Sequence, residues 1–148
     1  MADPFSLAAG SFAVLGVVDV VLRASIECCR FLSALKDTPE EITRLCSCIK
    51  INKLLVELFK KHLDGMQSLA ATLSTTDTKE ALKLFESSVK SFDRELSNLK
   101  LLETRYKAKK KIWSSIKYHL DDRKVNKCLR NLENAKSGLC AALSLVGG

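Results

Sequence analysis

The first helix-length stretch of the chain, residues 5–22, is apolar almost throughout. It reads FSLAAGSFAVLGVVDVVL and contains a single charged residue, Asp19. A helix that is apolar on all sides is either buried in a bundle or surrounded by lipid. Eighteen residues rise about 27 Å as a helix, slightly less than the ~30 Å hydrocarbon core of a bilayer. The stretch therefore predicts a central core helix for which lipid is the other possible environment, whereas a permanent membrane anchor is marginal.

Helix start signals divide the first half of the chain into two helices. Asp3 and Pro4 are typical of an N-cap and a first helical position, and the first helix is expected to continue past Leu22. The run Thr38-Pro39-Glu40-Glu41 predicts the start of a second helix, with a break or bend at Asp64-Gly65 and a remnant to about residue 73. Its expected inward positions are Ile42, Leu45, Ile49, Leu54, Leu55, Leu58 and Phe59.

The second half of the chain shows the most regular apolar spacing. After a polar run at 74–78, expected to be a loop, apolar residues three and four apart predict one seam on a third helix: Leu82, Phe85, Val89, Phe92, Leu96, Leu99 and Tyr106. A shorter basic helix is predicted at 107–120. Asp121 then caps a last helix with inward positions Val125, Cys128, Leu132, Ala135, Leu139, Leu143 and Val146.

These patterns define one all-α fold class. The chain has only two prolines and six glycines in 148 residues, and no alternating apolar and polar run predicts strands. The expected architecture is an antiparallel helical bundle of four long helices plus a shorter basic helix, with an apolar N-terminal helix. Residues 1–148 are expected to form a single domain.

The residue chemistry gives no support for catalysis, a metal or a cofactor. The six cysteines read as reduced thiols that act as small apolar side chains, and Cys46 and Cys48 point about 200° apart on a helix. The two histidines have no ligand partner at helical spacing, and no nucleotide-binding or hydrolase motif occurs. We therefore expect that the chain is not an enzyme and that it has no cofactor and no metal site.

Positive charge is concentrated near the end of the chain. Eleven basic and three acidic residues lie between 105 and 136, while the rest of the chain sums to −1. Such a segment suits anionic lipid headgroups, and its common alternative is a solvated helix face. Nucleic acid is not an expected partner, because stacking aromatics and recognised binding motifs are lacking.

Three segments together resemble the fungal HeLo-like N-terminal domains that precede NACHT or other STAND modules in NLR-type proteins. They are the opening MADPFSLAAGSFAVLGVVDVVLRA, the segment LKDTPEEITRLCSCIKINKLLVELF, and the closing KKKIWSSIKYHLDDRKVNKCLRNLENAKSGLCAALSLV. The resemblance covers essentially the whole chain, although residues 64–100 match only in helical character. It implies a helical bundle related to HeLo cell-death domains, which act in heterokaryon incompatibility and innate immunity.

The resemblance also implies a membrane-targeting, pore-forming type of effector in programmed cell death. Oligomerisation with further copies of itself would release the apolar first helix to lipid, and the protein would move from the cytoplasm to the plasma membrane. The resemblance implies that this domain is the N-terminal part of a longer protein, and a downstream receptor or sensor module is the other implied partner. By position, the insertion role falls on Phe5, Leu7, Phe12, Leu15, Val18 and Leu22. Contact with anionic headgroups is expected of Arg105, Lys107, Lys109, Lys110, Lys111 and Lys117.

A second hypothesis comes from a different functional class. The chain could be a soluble helical adaptor that recruits protein partners through its helix faces, with the first helix permanently in the core. Asp19 should then be hydrogen-bonded or lie at the end of the bundle. Burial of the first helix at rest is expected under both hypotheses, so behaviour with lipid distinguishes them.

Overall fold

Four α-helices follow one another in the computed structural model of the chain. They are α1 (Pro4–Ala34), α2 (Glu40–Met66), α3 (Thr76–Lys109) and α4 (Asp122–Gly147). The structure describes the backbone of these ranges and the side chains of residues 16–34, 40–64, 79–104 and 123–146. Within the described ranges every residue is helical, which confirms the all-α fold class.

The helix starts agree with the sequence signals. Helix α1 begins at Pro4 and continues well past Leu22. Helix α2 begins with Glu40 and Glu41 in its first turn, where carboxylates interact favourably with the helix dipole. Helix α4 begins one residue after the predicted cap at position 121.

Three predicted boundaries are wrong. Helix α2 passes through Asp64-Gly65 to Met66, because a helical glycine costs only about 1 kcal/mol and the preceding Leu63 is anchored in the core. Helix α3 already begins at Thr76, inside the predicted loop, and it continues to Lys109, into the predicted basic helix. The predicted remnant at 67–73 and the remainder of the basic helix, 110–120, lie outside the described residues.

The helices form a closed ring in the order α1, α2, α4, α3. Helix α1 packs on α2 and α3, and helix α4 packs on the same two neighbours from the opposite corner. The pairs α1/α2 and α3/α4 are antiparallel, since Asp19 meets Lys60 while Cys29 meets Cys46, and Ser88 meets Gly138 while Glu95 meets Asn131. The connection from α2 to α3 therefore joins two helices at diagonal corners.

The diagonal helices α2 and α3 meet through the middle of the core. The rings of Phe59 and Phe85 are stacked there, with centroids 4.0 Å apart and an interplanar angle of 13°. This contact places the carboxyl half of α2 at the level of the amino half of α3. Each helix is therefore antiparallel to the next one in the chain, as predicted, while the ring neighbours α1/α3 and α2/α4 run parallel.

The predicted inward positions are confirmed on α3 and α4. From Leu82 to Leu99 every seam residue is buried or half-buried, and Tyr106 lies outside the described side chains. On α4, the inward positions from Val125 to Val146 are likewise buried or half-buried, with Ala142 as an addition.

On α2, the prediction that Leu54 and Leu58 point inward is wrong. Both side chains are exposed, while Val56 and Leu63 are buried instead. The core face of α2 continues from Ile42 through Ile49 to Val56 at helical spacing, and Leu54 and Leu58 fall on the opposite side at 3.6 residues per turn. Apolar residues occur on two faces of this helix, and spacing alone does not decide which face is buried.

Candidate functional site

The described side chains of α1, residues 16–34, include exposed apolar groups on the outer side of the helix as well as a buried apolar inner side. Val18 and Val21 are fully buried in the shared core. On the outer side, Val17 is 37% exposed and Val20 is 59% exposed. Helix α1 is thus a corner helix rather than the central one that its composition predicted, and its apolar surface is only partly covered by α2 and α3.

The single charge of the apolar stretch lies on the surface. Oδ1 of Asp19 is 2.9 Å from Nζ of Lys60 on α2, and both side chains are well exposed. The hydrogen bond from Lys60 to Asp19, reinforced by their charge attraction, raises the pKa of the lysine. The pair joins α1 to α2, but solvent screens such exposed ion pairs strongly.

A second exposed ion pair joins α1 to α3. Nζ of Lys100 is 2.8 Å from Oε2 of Glu27. The hydrogen bond and charge of Lys100 lower the pKa of the Glu27 carboxyl, and Glu27 in turn raises the pKa of Lys100. Two weak thiol contacts also link α1 to its neighbours, from Cys28 to the Leu96 carbonyl and from Cys29 to the Cys46 carbonyl.

The other helix pairs are held by buried polar groups. Asn52 of α2 is fully buried and donates from Nδ2 to the carbonyl of Leu132 on α4, at 3.1 Å. Asn131 of α4 donates to Oε1 of the buried Glu95 on α3, at 2.7 Å. Buried hydrogen bonds are costly to break, because the separated groups must find new partners. Directional contacts therefore hold α4 to its neighbours more firmly than they hold α1.

Two of the six predicted insertion residues lie in the described part of the structure. Val18 is buried and Leu22 is half-buried, and both pack in the core. The side chains of Phe5, Leu7, Phe12 and Leu15 lie outside the described residues. Sequence reasoning did not select Val17 and Val20, although the run FSLAAGSFAVLGVVDVVL, with Asp19 as its single charge, contains the signal that apolar residues occur on both faces of the helix.

The predicted headgroup residues are not tested by the structure. The side chains of Arg105, Lys107, Lys109, Lys110, Lys111 and Lys117 all lie outside the described residues. The later part of the basic segment is described, and Lys124 and Lys127 of α4 line a groove against α3 together with Arg94. This groove has a volume of about 540 Å³. Sequence reasoning missed Arg94, which lies outside the basic segment and meets it only through the antiparallel packing of α3 and α4.

The buried thiols do not have the properties of reactive nucleophiles. Burial raises the pKa of Cys28 to about 12 and also raises the pKa of Cys128, to which the neighbouring Glu95 charge contributes. Thiols attack as thiolates, so neither group has the depressed pKa of a nucleophile. Among the described residues, no three His, Cys, Asp or Glu side chains are grouped so that they could hold a metal ion.

Within the part of the chain that the structure describes, no helix combines the length and the apolar character needed to cross a membrane.

Comparisons with family models, with curated proteins and with solved structures find no match to this chain.

Proposed function

We propose that this chain is a membrane-targeting effector domain of the HeLo-like cell-death type. At rest, α1 packs in the four-helix bundle. Clustering of several copies releases α1 to lipid, and the basic segment 105–136 contacts anionic headgroups. On this proposal the protein is cytoplasmic until activated and then moves to the plasma membrane, under the control of a receptor or sensor module.

The observation that carries the proposal is the way α1 is held. Its outer side exposes the apolar side chains of Val17 and Val20, and its inner side is buried in the core. Exposed ion pairs and thiol contacts link it to α2 and α3, whereas the buried Asn52 and Glu95 form the hydrogen bonds that join α4 to its neighbours. A helix that exposes apolar side chains and is linked by solvent-exposed ion pairs is well suited to exchange protein neighbours for lipid.

The bundle and the lipid bilayer offer α1 environments of similar free energy. Lipid chains and a protein core both remove apolar surface from water, at roughly 25 cal/mol per Å². Val18 and Val21 are covered in either environment, and Val17 and Val20 become covered only in lipid. A modest bias from clustering is then sufficient to shift the equilibrium.

The test uses Val20→Asp in the full chain, clustered through a fused, inducible oligomerisation tag. Because Val20 is 59% exposed, the charge is tolerated in the resting bundle. In lipid, an Asp costs up to about 3 kcal/mol, less near the end of the inserted stretch. Dye leakage from anionic vesicles should therefore fall at least about fivefold. The matched control is Leu145→Asp, at an exposed leucine of α4.

The outcome separates the two functional classes. Loss of leakage in Val20→Asp, with the Leu145→Asp chain and both melting curves unchanged, supports release of α1. Equal leakage from both variants contradicts it. A clustered wild-type chain that neither binds nor permeabilises vesicles would instead favour the soluble adaptor, in which the outer face of α1 contacts a protein partner.

A further inference from the structure

Helix α2 carries a second apolar stripe that faces away from the core. Ile51, Leu54 and Leu58 are 41%, 56% and 44% exposed, and the neighbouring Leu55 is half-buried. Their spacing of three and four residues places them on one face, about two turns long. Large aliphatic side chains exposed together, rather than singly, indicate a contact surface. We call Ile51, Leu54, Leu55 and Leu58 the α2 ridge.

The surroundings of the α2 ridge are strongly basic. Residues 42–61 contain five basic side chains and one acidic side chain, Glu57. That carboxylate is paired with Lys53 at 3.3 Å, and Lys60 is paired with Asp19. The three remaining cations are exposed and have no ion-pair partner among the described residues: Arg44, Lys50 and Lys61.

These unpaired cations lie at both ends of the apolar stripe. Arg44 and Lys50 precede the ridge in sequence, and Lys61 follows it. At 3.6 residues per turn, all three lie on the outer half of the helix. An apolar stripe bordered by lysine and arginine is the pattern of helices that lie in the interface of an anionic membrane. The long basic side chains reach the headgroups while the aliphatic groups enter the acyl boundary.

We propose that the α2 ridge is the surface by which the folded resting bundle docks on an anionic membrane. The occupant is a lipid surface rather than a protein, for two reasons. The ridge is the convex outer face of one helix, which suits a flat surface better than a peptide that needs a groove. A second copy would bring Arg44, Lys50 and Lys61 against a like-charged face. Docking through α2 does not require α1 to leave the core, so it is independent of the proposed release.

The experiment is co-sedimentation of the unclustered full chain with vesicles of phosphatidylcholine, alone or mixed with phosphatidylserine. The test variant is Leu54→Gln with Leu58→Gln, which removes apolar surface from the ridge. The control is Leu101→Gln with Leu145→Gln, whose leucines are 57% and 38% exposed on α3 and α4. The wild type and the control should bind the anionic vesicles equally, and the ridge variant should bind about tenfold more weakly.

A second pair of variants tests the charge contribution. Lys50→Gln with Lys61→Gln should lower binding to the anionic vesicles severalfold, whereas Lys83→Gln with Lys90→Gln, the same charge change at exposed sites of α3, should lower it less. Melting curves confirm that each variant is folded.

The proposal is overturned if the ridge and control variants bind vesicles equally. Sedimentation velocity of the same chains then shows whether the ridge serves a second copy instead. Failure here is distinguishable from failure of α1 release. The ridge variant changes docking of the unclustered chain, while Val20→Asp changes leakage by the clustered chain.

Discussion

At the scale of single residues, the polar groups inside the bundle were the least predictable feature. Asn52 lies among the apolar positions of α2, and nothing in the local pattern marks it as buried. In the fold it donates to the carbonyls of Cys48 and Leu132, while its Oδ1 is buried without a hydrogen-bond partner among the described residues. Glu95 is similar, since it is paired only because α4 brings Asn131 beside it. Such pairings depend on which helices are neighbours, which spacing along one helix does not encode.

The cysteines give a prediction at this scale. Burial raises the pKa of Cys28 to about 12 and raises that of Cys128 as well, whereas Cys140 is exposed. We expect a thiol-alkylating reagent to modify Cys140 in the native protein long before Cys28 or Cys128, as read by mass spectrometry of peptides. Rapid modification of all three without unfolding would contradict the packing of α1 and α4.

The same thiols predict how stability depends on pH. In the unfolded chain a thiol ionises near its ordinary value of 9.0, but in the folded chain Cys28 keeps its proton to about 12. Between these values the folded state binds more protons, so the free energy of unfolding falls as pH rises. The urea midpoint should therefore drop above pH 9 by less in a Cys28→Ala chain than in the wild type.

At the scale of helices, the inward positions of α3 and α4 were predicted well because each of these helices has one apolar face. Helix α2 was predicted less well because Leu54, Leu55 and Leu58 looked like a continuation of its core face. The net charge of the chain did not reveal the outer face of α2 either. Residues outside 105–136 sum to −1, and this average hides the basic stretch 42–61 on α2.

The contact between Gly138 of α4 and Ser88 of α3 gives a prediction at this scale. A Cβ at Gly138 of α4 meets the Ser88 hydroxyl of α3 and lies 3.3 Å from the Ser88 Cβ. We expect Gly138→Ala to destabilise the fold by about 1–2 kcal/mol, because overpacking outweighs the gain in helix propensity. Adding Ser88→Ala should recover part of the loss, since the hydroxyl is removed.

Gly16 is the matched control for that substitution. A Cβ at Gly16 of α1 meets nothing within 4 Å, so Gly16→Ala should stabilise the protein by up to about 1 kcal/mol. Urea unfolding of the three chains measures all the effects. Equal stability of Gly138→Ala and Gly16→Ala would show that α3 and α4 do not approach as closely as described.

At the scale of the whole molecule, the number and order of long helices followed from the sequence, but their arrangement did not. The ring order depends on the diagonal contact between Phe59 and Phe85, which joins residues from two separate apolar faces. The candidate site was only partly predictable for the same reason. Val17 and Val20 could be read from a run with a single charged residue, whereas their exposure depends on α1 occupying a corner. Arg94 and Lys127 come together only in the folded bundle.

The central claim, that α1 leaves the bundle for lipid, is tested most directly by locating its outer face. An environment-sensitive fluorescent amino acid is placed at position 20 in the full chain, and in a second chain at position 145, both exposed at rest. Each chain is clustered on anionic vesicles that contain lipids brominated along the acyl chain. We predict that the probe at position 20 shifts to the blue and is quenched by the bromines, while the probe at 145 is not. Leakage that occurs while the probe at position 20 stays in water, or is quenched no more than the probe at 145, would contradict the account.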